Sequence, residues 1–238
     1  MKKLSLFTSL VFLSVLAFSQ KQFVVDPNAE MRSINGNFNK IKVSHAIDLY
    51  LSQADNISLA VSASEDKYKE NIKTVVENNV LKIYYEGDRK WIGKDRKVKV
   101  YVSFKNIEEL EASGASDIVV AGIIKADHLK LNLSGASDFS GKVDTRNIDV
   151  ETSGASDLKV SGNANVLTIS SSGASDFHGY ELETESCVAN CSGSSDVEIT
   201  VSKEISVKAS GASNIYFKGS ATMKDIQTSG ASKVNKRG

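Results

Sequence analysis

Ser113-Gly114-Ala115-Ser116-Asp117 returns unchanged from Ser134, Ser153 and Ser172. It then varies to Ser192-Gly193-Ser194-Ser195-Asp196, Ser210-Gly211-Ala212-Ser213-Asn214 and Ser229-Gly230-Ala231-Ser232-Lys233. Successive copies start 21, 19, 19, 20, 18 and 19 residues apart. Self-similarity at a near-constant period is the signature of a repeat architecture, in which no single repeat can bury a core by itself.

The residues ahead of each copy say what is repeated. Three places before the first serine stand Leu110, Leu131, Val150, Ile169, Ala189, Val207 and Ile226, all apolar. One place before it the residues are small or apolar, as at Ala112, Leu133 and Cys191, and the positions between are polar, as at Glu111 and Asn132. This period of two belongs to a strand with one buried face. A second short strand follows the motif, as in Ile118-Val119-Val120 and Val197-Glu198-Ile199, often closed by a glycine such as Gly122, Gly141, Gly162, Gly179 or Gly219. No window of the repeats has helical periodicity. The pattern predicts an all-β fold, a parallel β-helix (β-solenoid) of coils of about 19 residues stacked about 4.8 Å apart. The motif glycine is expected to supply a positive φ or a close approach of backbone between coils. The alanine at motif position three is expected to face inward at a tight site.

Three segments follow from this pattern. Residues 1–19 read as a signal peptide, with Lys2 and Lys3 before the apolar stretch Leu4–Phe18 and cleavage near Ser19/Gln20. That stretch is shorter than a bilayer span requires, and none occurs later, so the mature chain is expected to lack a transmembrane segment. Residues 20–106 form a more irregular β region continuous with the solenoid, and residues 107–238 carry the regular repeats. In the irregular region, Ser44-His45-Ala46-Ile47-Asp48-Leu49-Tyr50-Leu51 aligns with Ser113 to Val120 as a degenerate first coil. Further strands are expected over Ile57–Val61, Thr74–Glu77, Val80–Tyr85 and Val98–Phe104, with a tight turn at Asn78-Asn79. Ser64 to Lys73 reads as a short helix capped by Ser64, with Tyr68 and Ile72 on one face. Such an insert could cover the end of the solenoid, which otherwise leaves strand edges unpaired.

Composition narrows the function. Lys+Arg and Asp+Glu both number 29, and export leaves 27 basic against 29 acidic residues. No basic excess marks a nucleic-acid binder. An exported chain resides in the periplasm, on the outer surface or outside the cell, where disulfides form. Even so, Cys187 and Cys191 share the inward face of one strand, and four residues of strand span about 13 Å, beyond disulfide reach. They are expected to be buried free thiols.

This combination of a signal, an opening Phe38-Asn39-Lys40-Ile41-Lys42-Val43-Ser44 and the repeated Ser-Gly-Ala-Ser-Asp resembles the putative auto-transporter adhesin, head GIN domain family, common in exported proteins of Bacteroidetes-type Gram-negative bacteria. The resemblance covers about residues 30–234. It implies a right-handed parallel β-helix and an adhesin-like role in the cell envelope, and it supplies no catalytic residues. The sequence has no β-barrel translocator pattern, so a complete autotransporter is not expected.

Two candidate sites emerge. The motif-end residues Asp117, Asp138, Asp157, Asp176 and Asp196 would stack in a column. Stacked carboxylates repel and raise one another's pKa values or bind Ca²⁺ through several oxygens. The favoured reading is that each accepts bonds from a corner serine hydroxyl or a backbone N–H, with no metal or other cofactor. The second candidate is Tyr84, Tyr85, Arg89 and Trp91, aromatic and basic groups around a charged loop. The expected partner is a glycan or a cell-surface protein, and the C-terminal coil could support end-to-end oligomers.

Enzymatic signals are sparse. Every motif serine recurs, so none stands out as a nucleophile. Ser156 and Lys159 match a Ser-x-x-Lys pattern, and His45, His128 and His178 lie in no metal motif. A polysaccharide lyase or hydrolase using the Asp column with Lys159 is the alternative, and a structural periplasmic assembly module is another. The leading expectation is a non-enzymatic module that presents a repeated polar surface.

Overall fold

The computed structural model describes residues 26–87 and 97–238. The expected signal peptide, and Arg89 and Trp91, lie outside the described residues. The first part contains β1 (Glu30–Arg32), β2 (Lys40–Val43), β3 (Asp48–Gln53), β4 (Ser58–Ser62), α1 (Asp66–Lys69), β5 (Ile72–Glu77), β6 (Val80–Tyr85) and β7 (Lys99–Phe104). The array follows with β8 (Glu109–Ala112), β9 (Ile118–Leu133), β10 (Phe139–Thr152), β11 (Asp157–Ser171), β12 (Asp176–Cys191), β13 (Asp196–Ala209), β14 (Asn214–Lys218), β15 (Thr222–Thr228) and β16 (Lys233–Lys236). From β9 to β13 each strand pairs in parallel with the next, Phe139 on Ile118 and on Leu158, Asp157 on Asp176, Asp176 on Asp196. The chain is the β-solenoid expected from the period.

Each coil has two alternating arms. In one coil the first arm turns Phe139, Val143 and Thr145 inward and the second turns Ile148, Val150 and Thr152 inward, all buried. The arms meet at the motif on one side and near Arg146-Asn147 on the other. Burying one Leu, Ile or Val side chain is worth about 1.5–3 kcal/mol, and here each such side chain is buried against the equivalent one in the neighbouring coil.

The motif corner explains its own residues. Gly135 has φ +81°, and a Cβ there would fall 2.5 Å from the carbonyl oxygen of Gly114. Both expected reasons for glycine therefore apply. The carbonyl of Gly114 accepts the Ala136 N–H at 2.8 Å, and Gly135 likewise accepts from Ala155 at 2.7 Å. The alanine is exposed, contrary to the inward site expected for it. Alternation carried through the corner turns the second serine inward instead, so Ser116, Ser137, Ser156, Ser175, Ser195 and Ser213 are fully buried. A hydroxyl buried there needs partners. Ser175 Oγ donates to the Ser172 carbonyl at 3.2 Å, and Ser195 Oγ to that of Ser192 at 3.0 Å. Between coils, Ser137 Oγ accepts the Ser116 N–H at 3.3 Å. Serine fits because it is small, donates within its own corner and accepts from the coil below.

The glycines after the motif are of two kinds. Gly162 and Gly219 hold positive φ at a bend in the first arm. Gly141 and Gly179 instead make room for an aromatic ring two residues earlier. A Cβ on Gly141 would lie 2.8 Å from the Phe139 ring, and one on Gly179 would overlap Phe177. Phenylalanine with glycine thus fills the space that Leu158 with Val160, or Val197 with Ile199, fills in other coils.

The first part shares this skeleton with a different chain order. β3 stacks on β9 with Leu49 on Ile118, the register of the degenerate first coil. β6 and β7 form a further coil outside it, since β2 lies between β6 and β8, and β3 between β7 and β9. Antiparallel strands finish this end: β4 on β7, β1 on β4 and β5 on β6. Asn78 and Asn79, at φ 52° and 64°, make the expected tight turn. The expected helix is only one turn, entered from Glu65 without a side-chain cap, so Ser64 is not its cap. Ile72 is buried as the first residue of β5, because pairing with β6 extends the strand into the segment read as helical. At the opposite end β15 is exposed throughout.

Candidate functional site

Alternation after each motif points the Asp, its second and its fourth successor outward from the same first arm. The pairing registers stack them into columns. Asp48 lies beside Asp117, followed by Asp138, Asp157, Asp176, Asp196, Asn214 and Lys233, and Lys99 pairs with Asp48 at the other end. The five expected carboxylates are therefore collinear, joined by Asp48 as a sixth and bracketed by lysines. Asp48 sits in the alignment of Ser44–Leu51 with the motif, which is the signal that adds it.

Backbone and side-chain bonds hold the column, with no contribution from corner serine hydroxyls. Asp138 Oδ1 accepts the Asp157 N–H and Asp176 Oδ1 the Asp196 N–H, both at 3.3 Å. Asn214 Nδ2 donates to Asp196 Oδ1 at 2.9 Å. The second serine of each motif turns into the core instead, where Ser175 and Ser195 donate to carbonyls of their own corners. Burial pushes the Asp117 carboxyl up, and the charges of Asp138 and Asp48 push it further, against a backbone hydrogen bond from Asp138. Burial also raises Asp48, opposed by Lys99. Among the described residues no group of three or more His, Cys, Asp or Glu side chains is placed to hold a metal ion.

The next outward column reads Tyr101, Tyr50, Val119, Ser140, Lys159, His178, Glu198 and Tyr216. Tyr50 and Tyr101 stack with centroids 5.1 Å apart, and the Tyr101 hydroxyl donates to Asp26 at 3.0 Å. His178 Nδ1 lies 3.1 Å from a Glu198 carboxylate oxygen, while Arg237 lies over the Tyr216 ring at 4.5 Å. Lys159 is outward and Ser156 inward, so the Ser-x-x-Lys pair is split between surface and core. The outer face of the second arm is different in kind. There Lys40 meets Glu109 at 2.7 Å, Lys130 meets Glu151 at 2.8 Å, Lys42 meets Glu111, and His128 meets Asp149 at 2.8 Å.

Of the second candidate group, Tyr84 is half-buried and Tyr85 is buried, its hydroxyl accepting from Asn71 Nδ2 at 3.1 Å. Arg89 and Trp91 belong to the segment outside the described residues. Cys187 and Cys191 are free and buried. Burial pushes both thiols up, Cys191 to about 12, which leaves them unreactive fillers. No described helix is long and apolar enough to cross a membrane.

Comparison with solved structures gives the same architecture. A putative adhesin from Bacteroides fragilis NCTC 9343 superposes with a TM-score of 0.82 at 19% identity, over 88% of this chain and 96% of that one. A putative adhesin from Parabacteroides merdae ATCC 43184 gives 0.69 at 17% identity, covering 90% and 98%. A putative lipid binding protein from Parabacteroides distasonis ATCC 8503 gives 0.68 at 16%, again covering 90% and 98%. At these identities the likeness is one of fold. No curated protein matches the sequence significantly. The sequence itself carries the assignment: a family profile matches residues 37–221, from the opening of the first coil to the last bend of the array, and the chain belongs to the putative auto-transporter adhesin, head GIN domain family.

Proposed function

We propose that this protein is an exported, non-enzymatic module of the cell envelope that adheres to its partner through the outward face of the first arm. The carrying observation is the register of Asp117, Asp138, Asp157, Asp176 and Asp196 on that one face. A ligand that repeats along its length meets the same groups at each coil, and linked weak contacts gain avidity without any single strong one. The adhesin description of the family supports this reading. Tyr84 and Tyr85, at the end of β6, together with Arg89 and Trp91, which lie outside the described residues, form a second proposed contact group. Surface protease shaving combined with cell fractionation tests the proposal. Release of the protein from intact cells is the expected result, and complete protection would overturn surface adhesion.

Two observations favour other readings. The His178–Glu198 pair beside Lys159 brings a base, an acid and a cation to one open face, as a polysaccharide lyase or hydrolase requires. Appearance of new reducing or unsaturated ends in a purified polysaccharide would establish it. At the C-terminal end Met223 is 56% and Ile226 36% exposed, and among the described residues no strand pairs with the outer edge of β15 or β16. That end suits stacking onto a second copy, as in an assembly module. Lys224, Lys233, Lys236 and Arg237 oppose this by repulsion. Sedimentation of the mature chain distinguishes monomer from dimer.

A further inference from the structure

The unequal intervals between motifs have a structural result on the proposed adhesive face. The first array coil exceeds the second by two residues, and the surplus bulges out between Val119 and Ile123. The fourth coil has one residue more than the third between its paired positions, and its register shifts against the fifth between Gly179 and Glu183, leaving Glu181 exposed and Leu182 in the core. The second and third coils, each with a 19-residue interval, are left recessed between these two irregularities. The result is an open trough of about 950 Å³ along the first arm. It reaches from the first array coil to Glu198 in the fifth, about 19 Å at the usual spacing of strands.

The trough has three chemically distinct parts. Its floor carries small residues, Ser140, Gly141 and Ser161, together with Lys142 and Lys159. One wall is apolar, formed by Val120 and by Ile123, which is 38% exposed. The other holds Tyr180, Glu181 and the His178–Glu198 pair. Two lysines of the trough differ from three on the second arm. Lys40, Lys42 and Lys130 are each neutralised by a glutamate, whereas Lys142 and Lys159 are exposed and enter none of the ion pairs among the described residues. On the same two coils Asp138 points outward four residues before Lys142, and Asp157 two residues before Lys159.

We infer that the trough binds an acidic polysaccharide, a chain of sugar rings carrying carboxylates. Its carboxylates pair with Lys142 and Lys159, which form no ion pair among the described residues. Its ring hydroxyls donate to Asp138, Asp157 and Glu181. The C–H faces of its rings lie against Val120 and Ile123. The alternation of acceptors and cations favours a sugar acid over a plain polyanion, because a sugar acid brings hydroxyl donors for Asp138 and Asp157 as well as carboxylates for the lysines. An open trough along the surface accommodates an internal stretch of polymer. The inference rests on the adhesive reading and names the ligand class and the place.

The test uses the mature chain, residues 20–238, with polygalacturonate as the probe in affinity electrophoresis and calorimetry. Binding is expected to weaken at least about tenfold in Lys142→Ala/Lys159→Ala, which is 1.4 kcal/mol or more, and to weaken with added salt. Lys40→Ala/Lys130→Ala, on the second arm, is expected to bind as wild type. Three results would each overturn the inference: no binding of polygalacturonate, equal loss in both double variants, or equal binding of neutral dextran or of single-stranded DNA. If Lys142→Ala/Lys159→Ala still adheres to cells like wild type, the trough is excluded and the adhesive reading survives. If wild type resists shaving on intact cells, the adhesive reading fails whatever the trough binds.

Discussion

Two neighbouring corners share a sequence and a backbone but stand on different ground. Gly114 and Gly135 have φ +82° and +81°. Beneath Gly135 lies another glycine corner, and an added Cβ would come 2.5 Å from Gly114 O. Beneath Gly114 lies the corner of β3's coil, where His45 and Ala46 take positive φ in place of glycine, and the nearest atom to an added Cβ is His45 N at 3.5 Å. The array requires glycine twice over, for conformation and for spacing. The junction with the N-terminal part requires it for conformation alone. The spacing requirement thus arises where one glycine corner stacks directly on another, as it does as far as Gly230 on Gly211.

The largest expected effect breaks that comparison apart. Gly135→Ala combines a left-handed conformation on a residue with a Cβ, about 1–2 kcal/mol, with an overpacking penalty of about 1–3 kcal/mol. Gly114→Ala incurs the first cost only. Urea midpoints of the two variants should both fall, with Gly135→Ala lower. Equal midpoints would mean that the stacked backbones separate freely and that spacing plays no part in selecting glycine.

A smaller effect sharpens the comparison at the inward serine. Ser175 Oγ donates within its corner and accepts the Ser156 N–H at 3.5 Å from the coil below. Ser175→Ala removes a partner from a buried carbonyl and a buried N–H, at about 1–3 kcal/mol. Ser232→Ala, in the last corner, should cost less, since Ser232 is only half-buried and water can replace its bonds. Thermal melting of the two variants measures the difference, and a greater loss at Ser232 would contradict the ladder.

How much of this could be read from sequence depended on whether the cause was local. The period and the alternation around Leu131 and Leu133 fix a coil and its buried face, because both are properties of a single strand. The same alternation, carried through Ser113 to Ser116, turns Ser116 inward; the small size of Ala115 points the wrong way, since a small residue can be exposed as easily as confined. The placing of β6 and β7 outside β2 and β3 is not local. It depends on which edge of β2 meets which strand, and Lys40 pairs with both Val80 and Glu109. The five stacked carboxylates were named from sequence, whereas Asp48 was not assigned to their column, although its alignment with Asp117 carried the signal. The trough was present in the intervals of 21 and 20 residues on either side of 19 and 19, but its depth is set by where the surplus residues bulge, and that is decided by pairing registers.

The smallest expected effect concerns the first carboxylate of the column, where the two regions meet. Asp117 has Asp48 on one side and Asp138 on the other, and burial with these neighbours raises its pKa in the folded protein. A carboxyl whose folded pKa is raised binds protons more tightly folded than unfolded, so its contribution to stability falls as pH rises through that window. Above the folded pKa the ionised group is a net cost; below the ordinary carboxylate range, where both states are protonated, the cost is gone. Asp117→Asn removes the charge and keeps a side chain of the same size. It should therefore raise the melting temperature slightly at pH 7, and the gain should vanish on acidification below the ordinary carboxylate range. A variant that melts lower than wild type at pH 7 would mean that the column's hydrogen bonds outweigh its repulsion. The carboxylates would then stabilise the corner itself, in addition to facing a ligand.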